Sequence, residues 1–121
     1  MKIYIGHSRN FDYKKELYEP IINSELFKEE EIIFPHLTDK VFDTNKVIEA
    51  SDLFIAEVSY PSLGLGIEIG RAEMKNKNIL CICQSDKKIP SCLKYVKADC
   101  LVYIDEKDLI NKISKYIKSK I

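Results

Sequence analysis

Five short apolar runs punctuate the chain, and between them lie stretches whose apolar residues recur every three to four positions. Lys2–Gly6 reads as the first strand, and Glu31–Pro35, Asp52–Val58, Asn78–Cys83 and Cys100–Ile104 as the second to fifth. The fourth, Asn-Ile-Leu-Cys-Ile-Cys, is apolar almost throughout, as expected of a strand buried on both faces of a parallel sheet. Helical periodicity fills the intervals. It covers Phe11 to about Phe27, with Leu17, Ile21 and Ile22 on one side, then Phe42–Ala50 and Gly66 to about Lys77. The last helix, Asp105–Lys120, turns Leu109, Ile113, Tyr116 and Ile117 inward. Pro20 inside the first helical stretch predicts a kink or break. Short connections and the alternation of strand and helix predict an α/β domain. Its form is three-layer and doubly wound (flavodoxin/Rossmann-like), with a five-stranded parallel sheet. With no internal repeat, linker or low-complexity segment, residues 1–121 read as a single domain.

Ligands of such sheets bind beyond the carboxyl ends of the strands, where strand order reverses. That rule selects the loops Gly6–Asn10, Glu57–Gly66 and Gln84–Lys88. Charge narrows the kind of ligand. Lys plus Arg and Asp plus Glu number 19 each, so a nucleic-acid polymer, which demands a basic excess, is not an expected partner. A local site for a small anion remains open. No run approaches the roughly 18 apolar residues that span a bilayer, and the N-terminus lacks a signal peptide's cleavage region. No membrane partner and a cytoplasmic location are therefore expected. Cys81 and Cys83 share one face of a strand, while Cys92 and Cys100 follow at spacing unlike a zinc site, which leaves reduced core cysteines.

The most unusual segment is Pro61-Ser-Leu-Gly-Leu-Gly-Ile-Glu68. Gly64 and Gly66, just before a helix, permit positive φ and close backbone approach to a ligand. Successive amides and the positive end of the helix make an anion site there, to which the Ser62 hydroxyl adds a donor. Glu68 would fall in the first helical turn, where the dipole favours the ionised state that a carboxylate nucleophile needs. Taken alone, the same residues serve equally as a tight strand-to-helix turn followed by a surface carboxylate. They lack the third glycine of a dinucleotide fingerprint and the Gly-Lys-Ser/Thr of a P-loop.

The longer string, Ala50-Ser-Asp-Leu-Phe-Ile-Ala-Glu-Val-Ser-Tyr-Pro-Ser-Leu-Gly-Leu-Gly-Ile-Glu-Ile-Gly-Arg-Ala72, resembles the core signature of the nucleoside 2-deoxyribosyltransferase superfamily. It is most similar to the branch of 2'-deoxynucleoside 5'-phosphate N-hydrolases. The resemblance is specific over residues 48–83 and looser over the first strand. It implies that Glu68 is a nucleophile attacking C1' of the sugar, expelling the base and leaving a glycosyl ester, as in retaining glycosidases. It places Tyr4 beside that nucleophile, and Gly6, Ser8 and Arg9 in a loop that helps hold a phosphate, together with Ser62 and the amides near Gly64 and Gly66. Arg9 also reads as a solvated loop charge. Transferases acting on free nucleosides usually carry Asp where Ser62 stands, so the neutral Ser favours a nucleoside 5'-monophosphate. Hydrolysis of the N-glycosidic bond is the implied reaction, with a nucleoside as the alternative substrate for base exchange. The chemistry calls for no metal and no organic cofactor.

In one place the chain departs from the pattern. The Asp that relatives carry in the helix before strand three falls on Thr44, with Asp43 one residue earlier and about 100° away around a helix. Asp43 is then the candidate catalytic carboxylate beside Glu68, and a nucleotide-binding module that has lost catalysis is the rival reading. Glu57 has a counterpart in the pattern but no role derivable from it. His7 reads as a loop residue or base contact and His36 as structural. Lys87, Lys88, Lys94 and Lys97 read as a solvated face. The resemblance further implies a homodimer, with Ser91 reaching a phosphate across the interface.

Overall fold

The computed structural model describes residues 1–41 and 43–120. Five parallel strands form one sheet: β1 (Lys2–His7), β2 (Glu31–Ile33), β3 (Leu53–Glu57), β4 (Asn78–Gln84) and β5 (Asp99–Tyr103). Their order, β2-β1-β3-β4-β5, is the flavodoxin-like doubly wound order. From β1 the chain moves outward to β2 and then crosses back to β3, so strand order reverses between β1 and β3. Two of the three loops selected from the sequence, Gly6–Asn10 and Glu57–Gly66, follow the strands that flank this switch point.

Side chains alternate across the sheet, and each face has its own core. Ile3, Ile5, Leu53, Ile55, Leu80 and Ile82 pack with Leu17, Tyr18 and Ile21 and with Leu109, Ile113 and Ile117 of α5 (Glu106–Lys120). Tyr4, Phe54, Ala56, Ile79, Cys81 and Cys83 face the other way, against Ile48 of α3 (Thr44–Ala50), Leu65, Ile69 and Ala72 of α4 (Leu63–Met74), and Leu93. Leu93 belongs to the 3-10 turn Ser91–Tyr95, which covers this face where a full helix is absent.

The helix expected over Phe11–Phe27 is divided. One turn of π-helix, Lys14–Tyr18, runs into α1 (Glu19–Ile22), and α2 (Glu25–Glu29) follows separately. Pro20 cannot donate a backbone bond and sits at the start of α1, where none is needed. The actual break lies beyond it, where the Ser24 hydroxyl donates to the Ile21 carbonyl at 2.6 Å and closes the helix end. β2 stops at Ile33, short of Pro35, which has no N–H for a ladder. The helix expected over Phe42–Ala50 begins at Thr44; Phe42 lies outside the described residues. Of the four cysteines, all free, only Cys81 and Cys83 are core residues, whereas Cys92 and Cys100 are exposed.

Candidate active site

The main correction concerns the glycine-rich segment. The sequence places Gly64 and Gly66 in a loop, but α4 already starts at Leu63 and both glycines are helical. No glycine in the described chain has positive φ. Ser62 is the N-cap, its side chain accepting the Leu65 N–H at 3.3 Å, and its carbonyl accepts the Gly66 N–H at 3.1 Å. Glu68 consequently lies in the second helical turn, not the first, where the dipole has little hold on it. A Cβ built on Gly64 or Gly66 would meet nothing within 4 Å. Their service is to leave the first turn bare, so that the Leu63 and Gly64 amides, unpaired at any helix start, face open space. The Ser62 hydroxyl accepts within the cap and keeps its own proton to donate.

Glu68 points from α4 toward β1. The Tyr4 hydroxyl donates to its Oε2 at 3.1 Å, joining residues 64 apart in sequence. Burial raises the Glu68 pKa, and the Tyr4 bond and the Arg71 charge oppose that rise. Burial and the neighbouring carboxylate push Tyr4 far above the usual tyrosine range, so it stays a donor at neutral pH. The Tyr4 ring is fully buried and leans on Phe54, centroids 5.3 Å apart. Gly6 explains how that ring fits: a Cβ there would lie 2.6 Å from Phe54 Cζ and 3.3 Å from Leu65 Cδ1. Gly6 thus allows Phe54 and α4 to close over β1.

Beyond β1 the chain turns at Ser8, which is buried and whose Oγ accepts the Asn10 N–H at 3.2 Å. Arg9 projects from this turn exposed, and among the described residues no carboxylate pairs with it. Its charge bears on His7, Tyr18 and His36.

His7 is 6% exposed and fixed at both ring nitrogens. Nδ1 lies 2.7 Å from the Ser8 carbonyl and must donate, so Nε2, 2.6 Å from the Tyr18 hydroxyl, accepts. Tyr18 Oη in turn accepts the His36 N–H at 3.0 Å. Burial lowers the His7 pKa to about 4, so the ring is neutral near pH 7. His36 packs edge-on against it, centroids 5.4 Å apart. His7 and Tyr18 stand eleven residues apart, and no spacing in the sequence signals that they meet.

Asp43 does not lie on the body of α3. It is the exposed N-cap, Oδ1 accepting the Lys46 N–H at 3.3 Å, with Thr44 as first helical residue. Since α3 and α4 both run back from the carboxyl end of the sheet, Asp43 stands at the site's end of the molecule, with one oxygen committed to the cap. Among the described residues no cluster of three or more His, Cys, Asp or Glu has a metal-binding arrangement, and no helix is long and apolar enough to cross a membrane.

No protein-family model matches the chain. Curated relatives do. The 5-hydroxymethyl-dUMP N-hydrolase of Danio rerio is 35% identical over 74 residues, 57% of this chain and 52% of that protein. The one of Branchiostoma floridae is 54% identical over 39 residues, 32% of this chain and 37% of its own length. The chain therefore spans about half or less of the curated relatives it matches. A solved structure, the CMP N-glycosidase of Clostridium botulinum, superposes with a TM-score of 0.72 at 22% identity, covering 96% of this chain and 99% of that one. The structural likeness establishes the fold, and the sequence matches bear out the resemblance to nucleotide N-hydrolases read from residues 48–83.

Proposed function

Proceeding from that relationship to nucleotide N-hydrolases, we propose that the protein hydrolyses the N-glycosidic bond of a nucleoside 5'-monophosphate, ribo- or deoxyribo-, through Glu68. The observation that carries this reading is the bond from Tyr4 to Glu68 at the β1/β3 switch point. A half-buried carboxylate is held there by a donor that keeps its proton, beside a helix start left bare by two glycines. The phosphate would take the Leu63 and Gly64 amides, the Ser62 hydroxyl and the uncompensated charge of Arg9. The Ser8 turn supports Arg9.

In the first step a Glu68 oxygen bonds to C1' as the C1'–N bond breaks, its electron pair leaving on the base, which takes a proton from solvent water. In the second, a water oxygen bonds to C1' and returns a proton to solvent as the ester C–O bond breaks, so that Glu68 recovers its carboxylate and sugar 5-phosphate is released. Anchoring by the phosphate holds C1' against Glu68, so binding energy remote from the reacting bond goes into orientation. We assign assistance in the departure of the base to Asp43, through the oxygen not committed to the cap. A second reading, a nucleotide-binding module without turnover, is favoured by Thr44 at the position of the relatives' Asp and by the capping role of Asp43. A third, transfer of the sugar to a second base, uses the same ester.

We extend the proposal to a cytoplasmic homodimer formed from this single domain, with Ser91 of the 3-10 turn as a further phosphate contact. Leu63, Ile67 and Met74, respectively 83%, 47% and 83% exposed on α4, supply apolar surface for a second copy to cover. The test is a panel of ribo- and deoxyribonucleoside 5'-monophosphates incubated with the protein and resolved by chromatography, with and without an acceptor base, beside calorimetric titration. Free base without acceptor supports hydrolysis. Exchange only with acceptor supports transfer. Saturable binding with no turnover supports the binding module and overturns the enzyme.

A further inference from the structure

Among the described residues, Glu57 is the one carboxylate fully within the interior, 0% exposed. Nothing in the glycosyl-transfer chemistry uses it. By strand alternation it shares the face of Leu53 and Ile55, opposite the face carrying Tyr4 and Glu68. Burying a carboxylate is costly unless its oxygens are satisfied, and here both are. Oε1 accepts the Ser59 N–H, and Oε2 accepts the Tyr103 hydroxyl at the end of β5, bridging across β4. Burial raises the pKa values of both Glu57 and Tyr103, which keeps the phenol a donor.

The bonds continue outward from this pair. Ser59 Oγ accepts the Gln84 N–H at 2.8 Å, and the Val58 N–H donates to the Ile82 carbonyl at 2.9 Å. The Ser85 N–H donates to the Tyr103 carbonyl at 2.9 Å. The tips of β3, β4 and β5 are thereby tied at residues 58 and 59. Only Tyr60 and Pro61 separate that knot from Ser62, the residue that caps α4 and starts the bare helical turn.

We propose that Glu57 is a positioning residue: through Ser59 and Tyr103 it fixes the segment leading to Ser62 and so aims the first amides of α4 at the bound phosphate. The proposal rests on the phosphate-site reading above. An apolar side chain would fill the same space without directing the Ser59 peptide, which accounts for a carboxylate at this buried position.

The experiment uses 15N-labelled full-length protein as wild type, Tyr103→Phe and Glu57→Gln, with two readouts. Amide exchange at Ser59, Leu65, Gly66 and Gln84 reports positioning without any ligand. Titration with inorganic phosphate, followed at the Leu63 and Gly64 amides, reports the anion site. Tyr103→Phe keeps the ring and removes one donor; exchange at those four amides should accelerate while β1 and α5 stay protected. Apparent phosphate affinity should fall by more than about threefold, because amides no longer held in place must be ordered on binding. Glu57→Gln keeps an oxygen for the Ser59 amide and offers its NH2 to Tyr103, so affinity should remain within about threefold of wild type. Uniformly faster exchange across the protein, or no change at the four amides, overturns the proposal. A wild type without a phosphate response sinks the phosphate reading instead, and the exchange pattern then decides the positioning role alone.

Discussion

Tyr4→Phe removes one oxygen from the site and leaves everything else that Tyr4 does. The ring is fully buried and packed on Phe54, and Phe retains that packing. What disappears is the 3.1 Å donor to Glu68 Oε2. A hydrogen bond to a charged group contributes about 1.5–3 kcal/mol; at about 1.4 kcal/mol per decade, kcat/KM should fall by roughly ten- to a hundredfold. The pH dependence is the more specific signature. Burial raises the Glu68 pKa while the Tyr4 bond lowers it, so the variant leaves burial less opposed and the pKa rises further. In the proposed mechanism only the carboxylate attacks. A higher pKa means less carboxylate at a given pH, and the acid limb of kcat/KM moves to higher pH. Global stability should change by no more than about 1 kcal/mol, because Glu68 is half-exposed and water replaces the lost donor. Base release measured across the acid range in both proteins, with urea unfolding alongside, checks all three statements. An acid limb that stays in place, with kcat/KM within about twofold of wild type, would refute the pairing as a catalytic device.

Three further outcomes follow from the same geometry. Gly6→Ala forces a Cβ to 2.6 Å from the buried Phe54 ring and should cost about 1–3 kcal/mol in urea unfolding, with weakened activity as Tyr4 is displaced; unchanged stability would show that the ring yields freely. His7 holds a folded pKa of about 4 against an ordinary 6.5, so the unfolded chain binds more protons between those values and stability falls as pH drops through that window. The loss is at most about 3 kcal/mol. His7→Phe should flatten the pH dependence of unfolding there, leaving the share due to His36, which is shifted the same way; an unaltered slope would count against a neutral buried His7. Ser62→Asp preserves the cap on Leu65 but sets a negative charge at the helix start, so KM for a nucleoside monophosphate should rise at least about tenfold while a free nucleoside is not penalised. Equal effects on the two would argue that the phosphate binds elsewhere.

The five strands, their burial on both sides and the loops at their carboxyl ends were legible because they follow from periodicity: Leu53 and Ile55 against Phe54 and Ala56 reads as a strand buried on both sides. The strand order itself was not, because periodicity does not say which strands are neighbours. The start of α4 was misjudged for a physical reason. Each glycine costs a helix interior about 1 kcal/mol relative to alanine, which argues for a loop through Gly64 and Gly66. The burial of Leu65, Ile69 and Ala72 against the sheet, with Ser62 as cap, outweighs that cost. The pairing of Glu68 with Tyr4 was available only through resemblance, because nothing in a linear string tells that residues 64 apart meet. Glu57 was legible only as a match to the family pattern, and neither its partners nor the His7–Tyr18 link had a readable signal; the first depends on strand adjacency and the second on a π turn that spacing rules do not anticipate.

The role proposed for Glu68 is attack on C1'. Its most direct measurement is the rate of free-base release from a nucleoside 5'-monophosphate by wild type and by Glu68→Ala at equal concentration, with the quenched proteins mapped by mass spectrometry. The account predicts base release and a sugar-phosphate adduct on the peptide containing Glu68 in the wild type, and neither in the variant. Base release by Glu68→Ala at the wild-type rate would contradict it.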